Sequence, residues 1–513
     1  MSEENKTASV NRAKLYQLVL FPMNNGATNV YYILTMNFIA YYANGVLGLA
    51  LMFATTMVTV MRLFDAVTDP SIGALIDRTS TKFGKFRPYM VLGNVIMILS
   101  SLLMYFGTRI ISPELEWLKY VCFVLFYALY VIGYTFQTAC TRSGQTCLTN
   151  DPKQRPLFTI FNTVASLIGM GLVQFLAPIL SQKFGGYNSA SFFDIMVPLA
   201  IVVSAILTVL AVIGIAEKDR PEFFGVGGKQ EKVPFSEYIA ILKANKELQR
   251  LMVAGAGCKL AFSIATNMTV LCMLYGAMMG NYGGLYLPMM IVGYVFSVPF
   301  FLLTVRTSQK HGQKASLVRY TALALVMYVG VLVILLLWKQ GNPAFNLSLG
   351  PINLYSILFI LFFGLGYGAY YATADMSIPM VADCSDYETY RSGRYIPGIM
   401  GTLFSLVDKL VSSLGSTIVG AAVAMIGIQT LPDGDTPYAA GMHGVVIVLF
   451  CVVPMLAWIA TLIAMKGYSL TGARMKEIQA INTVRKDAIG KGMSLEDAMD
   501  KWKTIEDVPE EFR

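Results

Sequence analysis

The chain has 513 residues, 55% of them hydrophobic and only 14% charged, with a formal net charge of +8. A soluble globular chain averages roughly 25% charged, so this composition excludes an ordinary soluble domain and makes the lipid bilayer the chain's main surroundings. The basic excess fits cytoplasmic loops of a membrane protein, and with no nucleic-acid-binding motif beside it, nucleic acid is not an expected partner.

The seven cysteines (Cys122, Cys140, Cys147, Cys258, Cys272, Cys384 and Cys451) are scattered, with no CxxC pair. The two histidines, His311 and His443, are far apart. Neither pattern suits a disulfide framework or a zinc site, and no cofactor is expected. The polar first fourteen residues lack a cleavable signal pattern.

A helix needs about 20 apolar residues to cross a bilayer. No charge occurs between Lys14 and Arg62, which predicts two spans joined at Asn44-Gly45. In chain order the predicted spans are 16–43, 47–76, 88–109, 117–144, 156–182 and 192–216. After a polar segment, 217–247, come 248–280, 283–305, 316–338, 351–380, 396–427 and 440–466. The expected architecture is an all-α membrane protein of twelve spans in two six-helix bundles, 16–216 and 248–466. The cytoplasmic N-terminus is 1–15, the central loop 217–247 and the tail 467–513. In that tail Ser494 and Asp497 are spaced as a capping box before a further helix.

Basic residues mark the cytoplasmic side. They follow span two (Arg78, Lys82, Lys85, Arg87), span four (Lys153, Arg155) and span eight (Arg306, Lys310, Lys314, Arg319), and fill the central segment. No basic residue lies between spans one and two, or in Gly280–Gly284. Both termini are therefore expected in the cytoplasm. Arg78-Thr79-Ser80 with Lys82 and Gly84 repeats as Arg306-Thr307-Ser308 with Lys310 and Gly312, at an offset of 306 − 78 = 228 residues. Both copies follow the second span of their half, which points to duplication. Two parallel six-helix halves resemble the major facilitator superfamily, with substrate held between them at mid-membrane.

Charges inside spans are costly, about 2.5–3.5 kcal/mol each on insertion scales, and are functional candidates by default. Arg62, Asp65 and Asp69 share one face of span two. Two carboxylates one turn apart repel unless a hard cation or a shared proton intervenes, and Arg62 compensates only one of them. Pro70 can free the carbonyl of Ala66 as a further oxygen ligand. The plainer alternative is an ion-pair cluster that only packs the bundle. Lys409, deep in span eleven, needs a carboxylate such as Asp65 or Asp69, or else snorkels to the surface. Its neighbour Asp408 points about 100° away on a helix. Arg142, near the inner end of span four, either snorkels or presents a hydrogen-bond fork to substrate hydroxyls or a carboxylate. Span one is crowded with Asn24, Asn25, Asn29, Tyr31, Tyr32, Asn37, Tyr41 and Tyr42. That composition suits a sugar cavity, although helix packing or an interfacial belt accounts for any single tyrosine.

Arg62-x-x-Asp65-x-x-x-Asp69-Pro70, Gly73-x-x-x-Asp77-Arg78 and Lys82-Phe83-Gly84-Lys85-Phe86-Arg87-Pro88 resemble the glycoside–pentoside–hexuronide:cation symporters. So do Met380-Val381-Ala382-Asp383-x-x-Asp386-Tyr387-x-x-Tyr390, Gly393-Arg394 and Lys409. The resemblance runs over nearly all twelve spans. It implies a symporter in the cell membrane that couples sodium, or alternatively a proton, to uptake of a small sugar. It implies that Asp65 and Asp69 bind the cation with help from Thr68 and Thr135, that Lys409 links the acids to the other half, and that Tyr134 lies near cation and sugar. Arg155, Asp383, Asp386 and Arg394 fall among residues that close the cytoplasmic side. Asn29 and Thr138 stand where the melibiose permease has sugar-binding aspartates, and Arg142 replaces a sugar-packing tryptophan. Together with Tyr32, Arg62, Tyr134 and Lys409 they are the expected substrate contacts. These departures turn the expectation away from melibiose. They make a hexuronide more plausible, with a neutral glycoside still slightly ahead. A sodium-coupled lysolipid transporter and a non-transporting sensor of the same fold are the alternatives. An enzyme is not expected, since no nucleophile–base pair or metal set emerges.

The basic-loop asymmetry predicts that Lys229→Cys is shielded from membrane-impermeant thiol reagents in intact cells and reacts after permeabilisation. External labelling would reverse the topology.

Overall fold

Hydrocarbon offers a chain no hydrogen-bond partners, so each spanning segment satisfies its own amides and carbonyls by winding into a helix. The computed structural model of the chain describes residues 12–78, 81–149, 154–220, 235–393 and 397–509. Among them the only β-type pairings are two isolated bridges, Thr81 with Gly84 and Leu349 with Ile352. Among the described residues ten helices are long and apolar enough to cross a membrane, and a bent pair taken as one span makes an eleventh. The first span is the twelfth, and its polarity sets it apart. Two compact units account for the chain: Met1–Glu231 with Gly420–Asp435, and Lys232–Val419 with Thr436–Arg513.

In the first unit the opening span is broken at Phe21–Pro22 into α1 (Leu15–Leu20) and α2 (Met23–Tyr41). Asn24, Thr28 and Thr35 of α2 are buried, so the helix is lined by protein and tolerates them. The unit continues with α3 (Leu51–Arg78), α4 (Arg87–Tyr105), α5 (Glu116–Leu148), α6 (Gln154–Lys183) and α7 (Ala190–Ile215). α2 packs on α6 and α7, α3 on α5, and α4 on α5 and α7. A Cβ on Gly169 of α6 would collide with the backbone of Gly26 on α2. This is the small-residue crossing that lets membrane helices approach closely. Residues Gly420–Asp435 are tied in by hydrogen bonds from the Asn44 side chain to Gln429 O (3.1 Å), from Leu431 N to Asn44 Oδ1 (2.9 Å) and from Tyr41 OH to Pro432 O (2.7 Å).

The loop between α3 and α4 is organised from a distance. The first amides of a helix have no partner within it. At α4 the buried Asp219, just past α7, accepts from the amides of Lys85 (2.8 Å), Phe86 (3.0 Å) and Arg87 (2.9 Å), with the Arg87 Nε at 3.5 Å. Gly84 enters this turn at φ +102°, and a Cβ on it would strike the Asp219 carboxylate. The motif Gly84-Lys85-Phe86-Arg87 is thus the receptor for one carboxylate.

The second unit begins with α8 (Phe235–Ala244) and α9 (Lys246–Ala265). α9 joins α10 (Met268–Leu271) and its wider-wound continuation Cys272–Met278 across a 45° bend. α11 (Tyr282–His311) and α12 (Gln313–Leu336) follow. The predicted span 351–380 is longer and interrupted: α13 (Leu354–Thr373) and α14 (Ser377–Ser392) are separated by a turn at 374–376. The unit continues with α15 (Pro397–Met425), α16 (Met442–Val446) and α17 (Val453–Gly467). α9 packs on α17, and α13 on α11 and α12.

The tail is folded. α18 (Gly472–Gly490) and α19 (Leu495–Lys501) pack with Trp502 and Val508 into a small core against Tyr390 of α14. The Ser494 hydroxyl caps α19, accepting from Asp497 N at 3.1 Å. Arg485 donates to Trp502 O (2.6 Å) and Tyr390 O (2.7 Å), and the Asn482 amide to Asp386 O (2.9 Å).

Asp219→Ala would leave three helix-start amides and Arg87 without their charged acceptor. The expected loss is about 3 kcal/mol, the scale for removing the charged partner of buried donors. It should register as a lower unfolding temperature of the purified protein. An unchanged melting curve would show that water caps α4 as well as Asp219 does.

Candidate functional site

α3 carries Arg62, Asp65, Thr68 and Asp69, spaced by threes and fours, so one face presents them all. Pro70 lies inside the same helix and removes the amide that would bond Ala66 O. The Asp65 side chain is 1% exposed. Its two oxygens are shared out: the Thr135 hydroxyl of α5 donates to Oδ1 at 2.9 Å, and Arg62 donates to Oδ2 at 3.0 Å. The Thr68 hydroxyl donates to the Asp65 carbonyl (3.1 Å) and lies 3.4 Å from the Thr135 hydroxyl. Three oxygen-bearing side chains therefore converge at one point between α3 and α5.

Aromatic rings roof the group. The Arg62 guanidinium sits over the Tyr32 ring at 5.3 Å, Tyr32 stacks with Tyr134 at 6.4 Å, and Tyr134 with Tyr130 at 6.4 Å. A guanidinium over a ring gains cation–π attraction without giving up its carboxylate. Tyr32 and Thr35 of α2, Arg62 and Asp65 of α3, and Tyr127, Tyr130 and Tyr134 of α5 line a small cavity. The centre of a water molecule has about 20 Å³ to move there, enough for one water or one small ion.

Arg142 is where sequence reasoning stopped short. Its guanidinium does not stand alone: it lies 3.6 Å from Asp69 Oδ2. The four charges Asp65, Asp69, Arg62 and Arg142 sum to −2 + 2 = 0, not to the single negative charge expected from α3 alone. The two pairs differ in kind. Arg62 and Asp65 are 14% and 1% exposed, whereas Arg142 and Asp69 are 65% and 23% exposed. Breaking a buried pair costs about 3–5 kcal/mol, while an exposed pair is worth about 0–1 kcal/mol. Arg142 is the exchangeable partner.

Asn29 and Thr138 bond within their own helices. The Asn29 amide donates to Asn25 O (2.7 Å) and Asn25 Oδ1 (2.9 Å), and the Thr138 hydroxyl to Tyr134 O (3.0 Å). Both donors are engaged on their own helices. Lys409 lies buried in α15 of the second unit. Asp383 and Asp386 lie on α14 and are half-buried. The side chain of Arg155 and all of Arg394 lie outside the described residues. The sequence reading also passed over an intramembrane ion pair in the second unit, Lys259 with Asp375. The signal was present, since Lys259 lies deep inside span seven, nine residues beyond Arg250.

The family model of MFS/sugar transport proteins matches residues 21–472. The inner membrane symporter YicJ of Escherichia coli (strain K12) is 24% identical over 89% of this chain and 92% of its own length. The isoprimeverose transporter of Lactiplantibacillus pentosus is 21% identical over 79% of each chain. Among solved structures, an inward-facing bacterial homologue of the iron transporter ferroportin superposes with a TM-score of 0.57. It covers 88% of this chain and 97% of that one at 12% identity, a likeness of fold alone. These are transporters and not enzymes, and the chain belongs to the MFS/sugar transport protein family, which holds the glycoside–pentoside–hexuronide:cation symporters.

Proposed function

We propose that the chain is a secondary active symporter of the cell membrane that couples a cation, sodium first, to uptake of a glycoside, pentoside or hexuronide by alternating access. The observation that carries this reading is the shared Asp65 carboxylate. One oxygen is held by a buried arginine and the other by the Thr135 hydroxyl, one turn from Asp69 with its loosely held Arg142. A hard cation prefers carboxylate, hydroxyl and carbonyl oxygens. Asp65, Asp69, Thr68 and Thr135 supply the first two, and the Ala66 carbonyl released by Pro70 supplies the third. The isoprimeverose transporter among its relatives supports a sugar as the cargo.

Coupling follows from charge. With Arg142 beside Asp69 the group is neutral, and an added sodium would leave one uncompensated positive charge. When a sugar hydroxyl or carboxylate draws Arg142 away, the group carries one negative charge and sodium restores neutrality. Sugar thereby tightens sodium, and by linkage sodium tightens sugar by the same factor.

Asp65→Asn should abolish sodium-stimulated accumulation of the transported sugar in membrane vesicles, with at least a tenfold loss. Full sodium-driven accumulation in the Asp65→Asn/Asp69→Asn double variant would sink the proposal. Uptake driven by a pH gradient and indifferent to sodium would make the acids a proton site.

Arg142→Gln tests the linkage itself. Sodium binding without sugar should tighten, because the competing guanidinium is gone, and the factor by which sugar improves sodium binding should shrink towards one. A sodium affinity unchanged in both conditions would return Arg142 to a purely structural part.

A further inference from the structure

Three charged side chains meet inside spans of the second unit: Lys259, Asp375 and Asp408. Lys259 is thirteen residues past the start of α9 at Lys246, about 20 Å along the axis. Asp408 is eleven residues past the start of α15 at Pro397, about 17 Å in. The Lys259 ammonium donates to Asp375 Oδ1 at 2.5 Å and stands 3.8 Å from Asp408 Oδ1. The Lys259 side chain is 19% exposed, but that of Asp375 is 69% exposed. A paired carboxylate inside a span with two thirds of its surface open meets water, because hydrocarbon would not tolerate it.

The backbone makes the opening. Asp375 occupies the turn 374–376 that separates α13 from α14. Interrupted spans are where irregular backbone is tolerated at membrane depth, provided it lines a hydrated cavity. Phe262, one turn after Lys259 on α9, packs its ring on Tyr371, one turn before Asp375, with centroids 5.5 Å apart. Tyr371 also meets Tyr294 of α11 edge-on at 5.7 Å. The two helices thus face each other through one ion pair and one aromatic pair, with the half-buried Tyr371 ring beside the exposed carboxylate.

We propose that Asp375, Lys259 and Tyr371 form a ligand subsite of the second unit that takes the vicinal hydroxyls of a sugar. The carboxylate accepts from two neighbouring hydroxyls at once, and the ammonium donates to a third oxygen. The Tyr371 ring offers an apolar wall to the C–H face of the pyranose. Asp408, 3.8 Å from the ammonium, orients Lys259. The subsite rests on the reading that the cargo is a sugar.

The test is calorimetric binding of isoprimeverose and of methyl glucuronide to the purified full chain at saturating sodium. Asp375→Asn should weaken the sugar that the parent binds at least tenfold, and Asp375→Glu should recover part of the loss. Sodium binding measured without sugar should stay within twofold of the parent. A deoxy analogue lacking one contacted hydroxyl should bind the parent worse than the full sugar does, yet bind Asp375→Asn no worse. Should Asp375→Asn fold poorly, Lys259→Met carries the same comparison with the same expectation. Equal affinities in parent and variant, or an equal deoxy penalty in both, would overturn the subsite and leave the symporter reading standing. A parent that binds neither sugar would overturn both.

Discussion

Everything at the centre of the first unit depends on supplying partners to one buried carboxylate. Asp65 is buried to 1% exposure in a helix that crosses the membrane. Arg62, three residues earlier, brings to it at 3.0 Å a guanidinium that does not deprotonate at any physiological pH. Arg62 is then steadied by the Tyr32 ring. The need for a second donor at Asp65 draws Thr135 in, which fixes how α5 lies on α3. A lysine at 62 would supply the charge but neither the planar fork nor the ring stacking.

Against that fixed pair stands a soft one. The Asp69–Arg142 contact spans two helices at 3.6 Å and is largely open to solvent. A buried pair costs a few kcal/mol more to break than an exposed one, so of the two arginines Arg142 is the more readily released.

The spans and the charged stripe of α3 were legible because they are local. Spacings of three and four place Arg62, Asp65 and Asp69 on one face whatever the rest of the protein does, and absence of charge delimits spans even where, as in α2, asparagines lower the apolarity. What depends on how one helix is rotated against another was not legible. Arg142 could be read as snorkelling or as a substrate fork, and nothing in its neighbours pointed to Asp69. Asp219 read as one acid in a polar segment, since its partners are backbone amides, which have no sequence signature. The turn at 374–376 carries no glycine or proline within it, so span ten read as continuous and Asp375 went unremarked.

The two intramembrane ion pairs answer differently to movement. Arg62 and Asp65 belong to one helix, three residues apart, so their separation is set by α3's own geometry and survives any rigid displacement of that helix. Lys259, Asp375 and Asp408 belong to α9, the α13–α14 turn and α15. A shift of one of these helices by even 1–2 Å, about the scale of ordinary helix adjustments, is enough to exchange a contact at 3.8 Å for another. Contacts that must persist are best built on one helix with a single cross-helix donor, and contacts that must respond to a displacement are best strung between helices. The chain carries one pair of each construction, in different units.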